Sequence, residues 1–244
     1  MNYNPILSIV TATLEVGAAV WALRGSGRKP IIYTVSSILI FLAGYQIIEA
    51  ILCTGSNLTL AFLPRLAFMV VAWLPPTGLL LVARLYPTET RTLYYYAYAM
   101  FIFCGALVAS IAADKAFVTA TVCEIVFAQY TNPTPLYRAY GIFYQSGLMG
   151  MLLLSAYGVT ICKDEHQRLL LGQVLLGSIA FIFPSLITVA VIPIADNALP
   201  SVMCHFAMLL ALFLIRLVSI ERKWSLVMGI ETQIPIDTMR AGTI

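Results

Sequence analysis

The side chains of this chain that could do chemistry are few, and most stand inside long apolar runs. Glu15, Gln46, Glu49, Arg65, Gln145, Gln173 and His205 stand out as polar there, and cysteines occupy positions 53, 104, 123, 162 and 204. An ionisable group in such a run is expensive in hydrocarbon and marks a candidate functional site by default. Glu49 and Arg65 flank one short connection at similar depth, so the sequence predicts that they pair. Such a pair either belongs to a ligand site or fixes how two helices pack. Tyr144, Gln145 and His205 fall in the same layer, which makes Glu49, Arg65, Tyr144, Gln145 and His205 the candidate ligand-binding set. Glu15 lies deeper; it is expected either to be protonated and hydrogen-bonded to a neighbouring helix or to line a cavity.

The sulfur chemistry reads in two ways. Cys53, Cys204 and His205 form a candidate metal set, since thiolate and imidazole suit copper(I) or zinc. No C-x-x-C or H-x-x-x-H spacing supports it. Thiols facing an oxidising compartment often pair, and Cys123 is expected to bond either Cys53 or Cys204; the residues do not choose between them.

The elements that must position these groups follow from composition. Of the 244 residues, 61% are hydrophobic and 10% charged, with a mean hydropathy of +0.91. A soluble domain carries about 25% charged residues. This excludes a cytosolic enzyme and a disordered chain, and a net charge of +3 without a basic stripe excludes a nucleic-acid binder. About 20 apolar residues cross a bilayer as a helix, and segments 5–23, 31–52, 60–83, 93–113, 136–161, 169–192 and 200–217 qualify. Backbone groups in lipid must be satisfied within the segment, so each is helical. The expected fold is an all-α integral membrane protein, a seven-transmembrane helix bundle (1–217) with a short basic tail (218–244).

Lys and Arg set the orientation. Arg24, Arg28, Lys29, Arg84, Arg91, Lys163, Arg168, Arg216, Arg222, Lys223 and Arg240 fall on one side, and Lys115 and Arg138 on the other. The N-terminus is therefore expected outside, the C-terminus in the cytoplasm, and the protein in the plasma membrane. No basic n-region or small-residue cleavage site precedes the first span, which is expected to be retained. The connection Asp114–Pro135 is long, outer and rich in β-branched residues, which predicts a lid, either a short hairpin or a re-entrant segment. Pro75, Pro76 and Pro184 are expected to kink their spans as hinges or as static packing. Asn57-Leu58-Thr59 is an outward sequon.

The stretches RGSGRK, YQIIEAILC and LPRLAFMVVAWLPPTGLLLVARLYP resemble the seven-transmembrane N-terminal sensor region of membrane histidine kinases, over about the first 90 residues. The resemblance implies a sensor fold in which Glu49, Arg65, Pro75 and Pro76 are the matching positions. No kinase domain follows, so the chain looks like a stand-alone member of such seven-helix families. Two other seven-helix families fit less well. The last span has no lysine for a Schiff-base retinal, and one intramembrane histidine is too few for an alkaline-ceramidase-like zinc hydrolase.

The functional expectation is a stand-alone sensor or receptor-like protein that binds a small ligand or ion in an outer polar cavity and signals through a partner. The alternative is a non-catalytic structural subunit of a larger membrane complex; a transporter or channel, or a metal-dependent membrane protein, ranks below both. No complete catalytic set is evident, which leans away from an enzyme. Membrane lipid and other membrane or cytoplasmic subunits are the expected partners.

Overall fold

The computed structural model describes residues 3–55, 62–86, 91–124, 128–191 and 198–240. Among them, seven helical segments are long and apolar enough to cross a membrane: Ile6–Leu23, Lys29–Thr54, Leu63–Leu85, Arg91–Ala113, Pro135–Ile161, Glu165–Thr188 and Pro200–Met228. The sequon at 57–59 lies outside the described residues.

The elements in chain order are α1 (Ile6–Leu23), α2 (Lys29–Thr54), α3 (Leu63–Val71), α4 (Leu74–Leu85), α5 (Arg91–Ala113), β1 (Ala120–Cys123), β2 (Ala128–Thr131), α6 (Pro135–Ile161), α7 (Glu165–Val191) and α8 (Leu199–Arg240). Prolines in the first turn open α2, α3, α4 and α6, where the missing N–H would have no intrahelical partner anyway. Gly27, at φ +132°, makes the sharp turn between α1 and α2. A Cβ there would also press on Glu221 and Ile32, at 3.2 Å from each.

The third span is two helices, not one. Pro75 and Pro76 lack the N–H groups that would bond the carbonyls of Val71 and Ala72, so α3 ends and α4 begins at Ala72-Trp73. The exposed acceptors are partly refilled locally. The Cys104 thiol of α5 donates to the Ala72 carbonyl at 3.2 Å, and Thr77 donates from its backbone N–H and its hydroxyl to the Trp73 carbonyl. Pro184 sits inside an unbroken α7, where the Thr188 hydroxyl donates to the Pro184 carbonyl at 2.8 Å.

The spans differ in how much neighbours cover them. α2 and α3–α4 are the most enclosed and α5 the least. α2 packs against α1, α3, α4 and α8, and α8 also packs against α1 and α7. Glycines set two close approaches: a Cβ on Gly147 of α6 would collide with Pro75, and one on Gly78 of α4 with the Met151 sulfur. α8 does not stop at Leu217. It continues to Arg240, and Ile220, Trp224 and Val227 keep the apolar i, i+4, i+7 spacing for the first turns past Leu217.

β1 and β2 form an antiparallel hairpin with Ala120 opposite Thr131 and Cys123 opposite Ala128. It sits at the end of the bundle where α1 begins and α2 ends. Phe117 and Tyr130 pack edge-on against Phe68 of α3, with Tyr140 of α6 beside them.

Candidate functional site

Polar residues collect on one seam, where α1, α2 and α8 meet. Ser8, Thr11 and Glu15 share a face of α1 because positions i, i+3 and i+7 line up on a helix. Gln46 and Glu49 do the same on α2, and Ser201, Cys204 and His205 on α8. Ser8, Thr11, Glu15, Gln46, Glu49 and Ser201 are each no more than 1% exposed.

Hydrogen bonds tie the three helices and the hairpin together there. Gln46 Nε2 donates to the Cys204 carbonyl at 2.7 Å. His205 Nδ1 lies 2.7 Å from the Ser201 carbonyl, one turn back in its own helix. The Ala128 N–H of β2 donates to Ser201 Oγ at 3.1 Å, and the hydroxyls of Tyr45 and Tyr130 meet at 3.2 Å. Tyr3, just before α1, lies 2.8 Å from Ser8 Oγ and donates to Glu49 Oε1 at 3.3 Å. His205, Ser201 and Tyr45 also face the Glu49 carboxylate. Burial and the nearby Glu49 charge push the Tyr3 phenol up to about 12, and burial raises Tyr130 likewise, so both hydroxyls keep their protons and remain donors.

Several buried atoms in the seam have no partner: Thr11 Oγ1, both oxygens of Glu15, Gln46 Oε1, Glu49 Oε2 and His205 Nε2. A buried polar group left unsatisfied costs about 1–3 kcal/mol. A seam with six such atoms is a candidate binding site. Beside it, a groove of about 480 Å³ opens between α1 and α2, lined by Pro5, Ile9, Ala12, Val16, Gln46 and Ile51 among others.

The hairpin is fastened over this end. Cys123 of β1 is disulfide-bonded to Cys53 near the end of α2. Of the two partners open to Cys123, Cys204 is the one left as a buried free thiol.

The other sequence-derived groupings come apart. Glu49 does not pair with Arg65. Arg65 Nη1 donates to the Ala112 carbonyl at 3.0 Å, and its guanidinium lies over the Phe62 ring. The last carbonyls of α5 have no intrahelical donor and carry the negative end of the helix dipole, so they attract a cation. Equal depth placed Glu49 and Arg65 in one layer, but helical rotation turned Glu49 toward α8 and Arg65 toward α5. Tyr144 stacks on Tyr140 with ring centres 5.8 Å apart. With Gln145 and Met203 it lines a separate small cavity of about 40 Å³. The Cys53–Cys204–His205 set does not assemble either, because the Cys53 sulfur is bonded to Cys123. Among the described residues, no three of His, Cys, Asp and Glu come together as metal ligands.

The sequence reading missed Tyr3, Ser8, Thr11, Tyr45, Ser201 and Tyr130. The i, i+3, i+7 polar stripe in an otherwise apolar α1 was the available signal. It also missed a second cluster at the opposite end of the bundle. Glu221 of α8, 2% exposed at the side chain, accepts from Arg28 Nε at 2.7 Å, Arg28 Nη2 at 2.9 Å and the Arg28 backbone N–H at 3.1 Å. Its Oε2 also lies 3.0 Å from His166 Nε2, and the His166 ring stacks on Trp224. Arg222 covers the Trp21 ring at 3.8 Å and donates to the Trp21 and Ala22 carbonyls. An open groove of about 380 Å³ runs beside His166 and Trp224, with Asp164, Lys223 and Val227 in its wall.

No family model, curated protein or solved structure matches this chain.

Proposed function

We propose that this chain is a stand-alone, receptor-like sensor of the plasma membrane that holds a small ligand or ion in the seam of α1, α2 and α8. The N-terminus and the hairpin face outside, where the hairpin acts as a lid, and the C-terminus is cytoplasmic. The observation that carries this reading is the concentration of unpartnered buried polar atoms in that one seam. A static structural contact would be expected to satisfy them. The strong bias of Lys and Arg to one set of connections supports the orientation.

The same helices lead from the seam to the far cluster. α8 carries His205 at one end and Glu221 sixteen residues on, about 24 Å along the axis at 1.5 Å per residue. α1 and α2 run from the seam to the turn that holds Arg28. A shift of α8 at Ser201–His205 therefore moves one half of the Arg28–Glu221 pair. The groove beside His166 and Trp224, with Leu226 and Val227 exposed near it, is where a partner protein would read that shift.

Cys162 lies buried next to this cluster, with its thiol 3.7 Å from the Gln167 side chain. Its alkylation rate, read by peptide mass spectrometry in lipid nanodiscs, reports opening of the far end. Glu49→Gln, which alters the seam alone, is expected to change that rate severalfold. An unchanged rate in a folded Glu49→Gln protein overturns the sensor reading.

A further inference from the structure

The open atoms of the seam are mostly acceptors. The Ser201 carbonyl can only accept, so His205 Nδ1 carries the hydrogen and Nε2 of the neutral ring is a bare lone pair. The Cys204 carbonyl fixes the Gln46 amide in the same way, leaving Oε1 as its open atom. With both oxygens of Glu15 and Glu49 Oε2, five open atoms are acceptors, and only the Thr11 hydroxyl could donate.

The room available narrows what can supply the missing hydrogens. These atoms have almost no accessible surface, so no water-sized species sits beside them. No three of His, Cys, Asp and Glu among the described residues converge on a metal position. No cation is bonded to the seam either: Arg65 goes to the Ala112 carbonyl, and Arg28 and Arg222 to the far end. Two uncompensated carboxylates in a closed apolar seam would be very costly.

We infer that the ligand of this seam is the proton: Glu15 holds one, and Glu49 takes up a second that enters through Tyr3. This rests on the sensor reading for its meaning as a signal, but not for its chemistry. The groups facing Glu49 are Tyr3 before α1, Tyr45 on its own helix, Ser201, Cys204 and His205 on α8, and Tyr130 on β2. Cys204 faces Glu15. None of these is a fixed cation, so the charge of the seam is set by bound protons.

The transfer balances. A proton from water adds to the Tyr3 oxygen as the Tyr3 hydroxyl proton passes along its hydrogen bond to Glu49 Oε1. The seam gains one hydrogen and one unit of positive charge.

Infrared difference spectroscopy across pH, on the full chain in lipid nanodiscs, tests this. The wild type is expected to show protonated-carboxyl C=O bands. Glu15→Gln should remove one such band and Glu49→Gln a second. His205→Asn should shift the midpoint of the Glu49 band, and Glu49→Asp should retain a displaced band, which separates loss of the group from loss of the fold. If neither glutamine variant removes a protonated-carboxyl band, the proposal is overturned. Cys162 alkylation on the same samples keeps the two readings apart. Titrating bands with a constant rate uphold the proton site and remove the sensor; a rate that follows pH without such bands removes the proton site and leaves the sensor.

Discussion

Cys104 shows how one side chain supports a broken helix. Two prolines leave carbonyls open at the α3–α4 junction, and the fully buried Cys104 thiol donates to the Ala72 oxygen. Cys104→Ala removes that donor where water is absent. It is expected to destabilise the protein by about 1–2 kcal/mol, read as a lower midpoint of thermal unfolding in mild detergent. Cys104→Ser, which restores a donor, should recover most of the loss. Equal stability of the alanine variant and the wild type would mean that the thiol is only filling space. Residue types and depth were legible in the sequence, but partners were not. Glu49 is recognisable as a candidate site residue from its place in an apolar run, and it is buried. Its partners were not recognisable, because a few tens of degrees of helix rotation decide whether it meets Arg65 on α3 or His205 on α8.

The hairpin depends on one covalent tie and a few polar contacts for its position. The disulfide joins residues 70 apart, and the remaining anchors described are the Ser201 and Tyr45 hydrogen bonds and the ring packing on Phe68. Removing a disulfide from a loop of this size costs about 2–4 kcal/mol. Cys53→Ser with Cys123→Ser is therefore expected to raise backbone hydrogen exchange in residues 119–123 and 128–131, leaving α7 protected. Unchanged exchange in the hairpin would show that Ser201 and the ring cluster hold it alone. The β-branched run was readable as a strand signal. The choice of Cys53 over Cys204 was not, since both lie near the same end of the bundle. What separates them is that Cys204 points into the seam, where its carbonyl holds Gln46, while Cys53 sits at the mouth of α2.

At the scale of the molecule, seven apolar runs were legible because lipid tolerates little else, and they match the seven helices. The far cluster was not legible. Glu221 reads in sequence as part of a charged tail, and only the continuation of α8 brings it onto Arg28 and His166. That continuation puts one helix through two clusters, with buried acids at one end and a buried ion pair at the other. The proposed sensor role requires that the two ends be coupled. Hydrogen exchange in lipid nanodiscs, comparing wild type with Glu49→Gln, tests it most directly. Coupling predicts altered protection in residues 162–168 and 219–228, with α5, which touches neither cluster, unchanged. Altered exchange confined to the neighbourhood of Glu49 would contradict it.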